Sequence, residues 1–142
     1  MKKIFTICIA IVSLTSCKKN DEALPQLEIN KANIAGTYLL TGATEAVDGV
    51  VKDIYASEIE TCEKDNTHTY TASGNYSYVD AGLQCTPPSS PINAIYTITG
   101  NEISMLGEKG IIESLTAKNL IYSITEVFGG KTYKVTFTFT RQ

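Results

Sequence analysis

The final stretch of the chain, KTYKVTFTFTR at residues 131–141, decides the fold class. Its alternate residues are apolar and large, namely Tyr133, Val135, Phe137 and Phe139. The residues between them are polar, and most are threonines. Alternation with period two gives a strand one face for a core and one face for water, which is typical of an antiparallel sheet. The stretch therefore predicts a long β-strand.

Segments of the same kind precede this strand and are separated by turn residues. The candidate strands are GTYLLTGATE (36–45), the two segments on either side of Ser73–Gly74, NAIYTITG (93–100), NEISMLG (101–107), GIIESLT (110–116) and NLIYSITEVF (119–128). Only DIYASEIET at 53–61 has a pattern that also fits a short helix. About eight short strands without crossover helices predict an all-β, antiparallel up-and-down meander. Closing the meander into a small barrel removes exposed sheet edges, and a β-sandwich is the alternative.

The first 16 residues have the features of a secretory signal peptide. Two lysines precede an apolar run at 4–14, which is about half the length of a membrane-spanning helix. The next feature, LTSC at 14–17, resembles the lipobox of bacterial lipoproteins, in which the signal is cut before a cysteine that receives a diacylglyceryl group. The resemblance implies that Cys17 is the lipid-modified mature N-terminus. Two or three acyl chains anchor a protein durably without any membrane span.

The residues after Cys17 suggest the location and the domain boundaries. KKNDE at 18–22 is similar to the tag that directs lipoproteins of Bacteroidetes-type bacteria to the outer face of the outer membrane. We therefore expect a lipid-anchored protein of the outer membrane, exposed at the cell surface. Residues 17–33 are polar, contain a proline and predict a flexible tether. Residues 34–142 then form one small domain.

The charge balance argues against nucleic acid as a partner. The chain carries 12 basic and 15 acidic residues, and loss of Lys2 and Lys3 with the signal peptide takes the net charge from −3 to −5. Arg141 is the single arginine and the lysines are scattered. A nucleic-acid surface needs clustered basic residues. The predicted partner is the membrane, through the lipid anchor, and a small hydrophobic ligand or an envelope protein is also possible.

The remaining cysteines predict a disulfide. Cys8 leaves with the signal peptide and Cys17 takes the lipid, which leaves Cys62 and Cys85 in an exported, oxidising setting. Their positions sum to 147, as do the paired residues of a hairpin with a two-residue turn at Ser73–Gly74. This coincidence places the bridge across the open end of that hairpin. A metal site is not expected, because His68 is the only histidine.

Several motifs together are similar to those of the lipocalin-like domain lipoproteins of Bacteroidetes. They are IAGTYLL (34–40), CEKDNTHTYTASGNYSY (62–78), the second cysteine at 85, the strand pair around ITGNEISML (98–106) and the terminal TFTFTR (136–141). The resemblance covers nearly all of the chain after residue 33. This chain departs from the pattern because it has no tryptophan, and Tyr38 and Tyr96 stand where the family has tryptophans.

The resemblance implies a calyx that holds a small hydrophobic or amphipathic molecule at its mouth. An eight-stranded barrel is just wide enough to be filled by side chains or to hold one small ligand. The candidate interior residues are Tyr70, Tyr76, Tyr78, Ile98, Ile103, Met105, Leu120, Tyr122, Phe137 and Phe139. If they fill the barrel, the alternative is a structural or interaction lipoprotein that contacts other cell-envelope proteins. The proline-rich stretch TPPSSPIN at 86–93 is either a rim loop or a surface crossing.

The sequence does not predict an enzyme. Carboxylates cluster at Glu58, Glu60, Glu63 and Asp65, but a solvated face or turn accounts for them. His68 has no nucleophile motif or second base beside it. Phosphate-binding glycine-rich loops are absent too. We therefore expect binding without catalysis, and neither a cofactor nor a metal.

Overall fold

The computed structural model describes residues 24–142 and consists mainly of antiparallel strands. The strands are β1 (Gly36–Val47), β2 (Val50–Asp53), β3 (Thr67–Tyr70), β4 (Asn75–Val79), β5 (Ile92–Thr99), β6 (Glu102–Met105), β7 (Glu108–Leu115), β8 (Asn119–Phe128) and β9 (Lys131–Arg141). The helices are α1 (Lys31–Ile34), α2 (Tyr55–Glu58) and a 3-10 helix at Thr61–Glu63. The short helix α2 lies within the segment where the sequence allowed one.

The sheet closes into a barrel. Its strand order is β2-β1-β3-β4-β5-β6-β7-β8-β9, and β1 also pairs with β9. Eight strands therefore form a closed ring, and β2 is an additional strand beside β1. The first part of β1 pairs with β3 and its last part with β2. The all-β, lipocalin-like barrel predicted from the sequence is confirmed, and the alternative of a sandwich is excluded because the first and last barrel strands are hydrogen-bonded.

The predicted register of the β3–β4 hairpin is wrong, although the disulfide prediction is confirmed. His68 pairs with Tyr78 and Tyr70 with Tyr76, so that paired positions sum to 146. The backbone N–H of Thr71 donates to the carbonyl of Asn75 at 2.9 Å, so the turn contains three residues, 72–74, instead of two. The Thr71 hydroxyl accepts the N–H of Asn75 across this turn, also at 2.9 Å. Cys62 lies in the 3-10 helix and Cys85 in the loop after β4. The bridge therefore joins two loops and not two ends of a hairpin.

One end of the barrel, which we call the closed end, is covered by α1. The side chain of Asn30 caps this helix by accepting the N–H of Asn33. Ile34 is fully buried, and its carbonyl accepts the hydroxyl of Tyr38 at 2.8 Å. Tyr96 is also fully buried. The two tyrosines that replace the expected tryptophans therefore belong to the core.

The folded domain begins earlier than residue 34. The backbone N–H of Leu27 donates to the carbonyl of Leu115 at 2.8 Å, and Leu27 and Ile29 pack against the core. The predicted tether is thus too long at its C-terminal end, because apolar residues within the polar segment reach the barrel. The signal peptide and Cys17 lie outside the described residues. Between residues 24 and 142, no helix is long and apolar enough to cross a membrane.

Candidate ligand site at the open end of the barrel

The residues predicted to lie in the barrel interior form much of its core. The ten residues expected in the interior all lie in the core or against it. Six of them are buried, namely Tyr70, Tyr76, Ile103, Leu120, Tyr122 and Phe139, and the partly buried four are Tyr78, Ile98, Met105 and Phe137. Their alternation in the sequence thus identified the inward face of the strands. Two cavities lie towards the opposite end of the barrel, which we call the open end and where β1 ends at Val47 and β9 begins at Lys131.

At the open end, the inner faces of β8 and β9 form a cavity that we call the outer recess. Its volume is about 200 Å³, and it is lined by Ile124, Glu126, Tyr133, Val135 and Phe137. Strand register explains this grouping, because Ile124 pairs with Val135 and Glu126 with Tyr133. Directly paired residues present their side chains on the same face of a sheet. The recess is therefore an apolar and aromatic surface with one carboxylate.

A second cavity, the His68 recess, lies beneath α2 and the 3-10 helix. Its volume is about 160 Å³, and it is lined by Leu40, Ile59, Glu63, His68 and Tyr78. The ring centre of His68 lies 5.1 Å from that of Tyr78. Apart from Glu63, the lining consists of aliphatic side chains and rings, so this recess is largely apolar as well.

His68 is held inside the barrel as a neutral imidazole. Its Nδ1 is hydrogen-bonded to the Tyr76 hydroxyl at 2.9 Å, and its ring centre lies 4.9 Å from that of Phe139. Burial lowers the pKa of His68 to about 4, because the charged form loses hydration inside the barrel. At neutral pH the recess therefore contains no imidazolium.

The interior tyrosines are neutral as well. Burial raises the pKa of Tyr76 to about 12 and that of Tyr70 well above its usual value. The Tyr70 hydroxyl is buried and has no hydrogen-bond partner among residues 24–142. The interior thus offers hydroxyl groups but no phenolate.

The disulfide and nearby polar contacts fix the loops around the open end. Cys62 and Cys85 have their Cα atoms 5.1 Å apart. Asn66, which is fully buried, donates to the Tyr78 hydroxyl at 2.5 Å and accepts the N–H of Ala81 at 3.0 Å. The loop before β3 is therefore tied to the loop after β4. The proline-rich stretch at 86–93 follows this tie and is largely exposed.

The carboxylates of the acidic cluster serve local structure. Glu58 pairs with Lys52 at 3.2 Å on the exposed surface. Glu60 and Glu63 form a capping box at the 3-10 helix. Asp65 accepts the N–H of Leu83 at 2.7 Å. These contacts agree with the interpretation of the cluster as a turn and not as an acid–base pair.

A metal centre is not supported by the described part of the chain. Between residues 24 and 142, the single group of three potential ligands is Glu60, Cys62 and Cys85. Zinc and similar metals bind the thiolate form of cysteine. Both sulfur atoms of this group are joined in the disulfide, so that neither is available as a thiolate.

A larger depression of about 530 Å³ lies outside the barrel. Its lining includes Asn75, Ser77, Asn93 and Ile95, which alternate with inward-facing Tyr76 and Ala94 on β4 and β5. It is a groove between β4 and β5 that Thr71, Tyr76 and Ala94 also line. The calyx expected from the resemblance stays a prediction, and the two smaller recesses are its candidates.

No protein-family model and no curated protein sequence matches this chain. The sheet topology alone supports the lipocalin-like fold. The two recesses include residues that the sequence analysis did not single out, namely Leu40, Ile59, Ile124 and Glu126. For Ile124 and Glu126 a signal was present, because they continue the alternation of Leu120 and Tyr122 along β8.

Proposed function

We propose that this protein is a lipid-anchored binding module that holds a small hydrophobic or amphipathic molecule at the open end of its barrel. One observation carries the proposal. Beyond the packed core, the inner face of β8 and β9 lines an open recess with apolar and aromatic side chains and a single lining carboxylate, that of Glu126. Concave apolar surfaces with a few polar groups are the usual sites for small ligands.

The volumes of the recesses restrict the size of the ligand. They measure about 200 and 160 Å³, whereas sites for drug-sized ligands occupy roughly 300–1,000 Å³. A ligand that fits is a short-chain or single-ring molecule, or one that projects from the barrel with its polar part.

The position of the N-terminal segment supports an arrangement in which the open end points away from the anchor. Gln26 and Leu27 contact Ser114 and Leu115 at the closed end of the barrel. The chain therefore reaches the domain on the side opposite the recesses. With Cys17 as the lipidated residue at the outer face of the outer membrane, the open end faces the surroundings of the cell.

Titration by ¹H–¹⁵N NMR with 1-octanol tests the binding proposal. We expect saturable shifts at Tyr133, Val135 and their neighbours, and none at Tyr96 in the closed end. Val135→Asp puts a charge into the outer recess and should weaken binding by about tenfold or more. Thr125→Asp is the matched control, because Thr125 is exposed on the outer face of β8. Absence of saturable shifts, or equal losses in both variants, would contradict the proposal.

We further propose that the bound molecule is not chemically transformed. The carboxylates of Glu60, Glu63 and Asp65 are engaged in the cap and turn contacts described above, and His68 is bonded to a tyrosine hydroxyl. Catalysis needs groups with separated pKa values that converge on one reacting atom. A screen with ester, glycoside, phosphate and peptide substrates should give no activity that is lost when Glu58, Glu60, Glu63, Asp65 and His68 are replaced together.

The second candidate function is a non-catalytic interaction module that contacts another cell-envelope protein. It is favoured by an apolar rim at the open end, formed by Val50, Val127 and Phe128, which are 76%, 73% and 78% exposed. Exposed apolar groups in one region indicate contact with other molecules. The two functions respond to different variants. Phe128→Ser should impair a protein contact and leave octanol binding intact, whereas Val135→Asp should do the reverse.

A further inference from the structure

We propose that the outer recess selects an organic cation, namely an ammonium group that carries a short apolar chain. The inference rests on the proposed binding function and specifies the chemical class of its ligand. It is carried by the carboxylates, the aromatic rings and the positions of the neighbouring lysines at this recess.

Two carboxylates lie on the face that lines the recess. Glu126 is one of its lining residues. Glu45 pairs with Val135 across β1 and β9, and therefore shares the face of Val135. Neither carboxylate takes part in an ion pair within residues 24–142. Negative charge at the recess is thus available to a ligand.

The nearby lysines leave this charge largely uncompensated. Lys52 lies opposite Glu45 on β2, but its ammonium is 3.2 Å from Glu58. Lys134 has its side chain on the outer face of β9, where it contacts Glu113 at 2.9 Å. Lys131 lies opposite Phe128 at the tip of the β8–β9 hairpin, on the same face as Glu126. Of these three lysines, Lys131 is therefore the cation that competes with a ligand, and it is exposed.

The rest of the recess suits the other parts of an alkylammonium ion. Tyr133 and Phe137 supply aromatic rings, which attract cations through their electron-rich faces. Ile124 and Val135 supply apolar contacts for a chain. An anionic amphiphile would place its carboxylate beside Glu126, and like charges repel at this distance. The outer recess therefore favours a cationic amphiphile over an anionic one.

NMR titration with three probes of equal chain length tests this selectivity. The probes are octyltrimethylammonium, 1-octanol and octanoate, each below its micelle concentration. We expect the cation to bind about tenfold more tightly than the alcohol, as cation–π and charge contacts of this kind allow. Octanoate should bind most weakly. Glu126→Gln should bring the ratio of cation affinity to alcohol affinity close to one, and Lys131→Ala should strengthen cation binding.

The outcomes separate this inference from the function on which it rests. Equal affinities for cation and alcohol, or an unchanged preference in Glu126→Gln, would overturn the cation inference and leave the binding function intact. If none of the three probes gives saturable shifts, both are wrong. The loss of alcohol binding in Glu126→Gln would indicate a disturbed recess, and would also count against a specific role for the carboxylate.

Discussion

Arg141 joins the last strand to the segment that enters the barrel. One guanidinium nitrogen donates to the carbonyl of Ala35 at 2.5 Å and another to that of Asn33 at 2.6 Å. The guanidinium carbon lies 4.9 Å from the ring centre of Tyr38. A planar guanidinium is suited to both contacts at once, since it donates in its plane and stacks on its face. This side chain therefore fastens the closed end.

Arg141→Ala should lower the free energy of unfolding by about 2–3 kcal/mol, because two charge-assisted hydrogen bonds and a cation–π contact are lost. Chemical denaturation measures the change. Lys134→Ala is the control, because Lys134 forms an exposed ion pair with Glu113 and should cost about 0–1 kcal/mol. Equal effects of the two variants would contradict the role given to Arg141.

His68 makes the stability of the barrel depend on pH. Its pKa is about 4 in the folded protein, below the usual value of about 6.5 in an unfolded chain. The unfolded chain therefore takes up the proton more readily, so stability is full above about pH 6.5 and is lost as the pH falls towards about 4. Between about pH 7 and pH 5 the loss should be roughly 1–2 kcal/mol.

Denaturation of the wild type and of His68→Gln at both pH values isolates this effect, because other titrating groups are common to the two proteins. The wild type should lose more stability than the variant on acidification. Parallel losses, or a His68 ring that titrates near its usual pKa by NMR, would contradict the burial of a neutral imidazole.

For single residues, the sequence predicted which side chains face the barrel interior better than it predicted which residues they contact there. The alternation around Tyr70 and Tyr76 indicated which residues face inward, and all ten expected residues lie in the core or against it. The surroundings of His68 were not predictable, because its neighbour Phe139 is distant in the chain and reaches it only through closure of the barrel. Likewise, Glu126 gains its place in the recess from its pairing with Tyr133.

Among the elements, β8 and β9 have the bounds that the sequence predicts, because strong alternation is interrupted by Gly129–Gly130. The strand β2 was not predicted. All four of its residues are exposed, so burial imposes no pattern on them. The predicted β3–β4 register was wrong because the Thr71 side chain stabilises a three-residue turn, which propensity alone does not distinguish from a two-residue turn.

The disulfide is the element-scale feature with the clearest chemical test. Labelling of free thiols in unfolded, unreduced mature protein should give no labelled cysteine at positions 62 and 85, and reduction should expose both. Replacing both cysteines by serine should lower the free energy of unfolding by ~3 kcal/mol, the loop-entropy value for closing about 24 residues. Two labelled thiols before reduction would contradict the bridge.

For the whole molecule, the sequence predicted strands but not the pairing of β1 with β9 that closes the barrel. Pairing of Leu39 with Thr140 joins the two ends of the domain. Such a contact follows from the twist and coiling of the whole sheet and leaves no local pattern in either strand. The sequence favoured a barrel only because closure removes exposed sheet edges. The alternation of apolar and polar residues fits a β-sandwich equally well.

The membrane attachment remains a prediction, because Cys17 lies outside the described residues. We expect the mature protein to begin at Cys17 and to fractionate with membranes, since acyl chains on this residue supply the anchor. Cys17→Ser should be released in soluble form or left unprocessed. A Cys17→Ser protein that is cleaved and still remains with the membrane would contradict lipid anchoring.

Mass spectrometry under non-denaturing conditions, applied to protein recovered from its native membrane, tests the central claim most directly. The wild type should carry one small noncovalent molecule that dissociates on mild activation, because the outer recess offers an apolar site for it. Val135→Asp, prepared in the same way, should carry none. A wild type whose mass is that of the acylated polypeptide alone would contradict a binding function for the open end of the barrel.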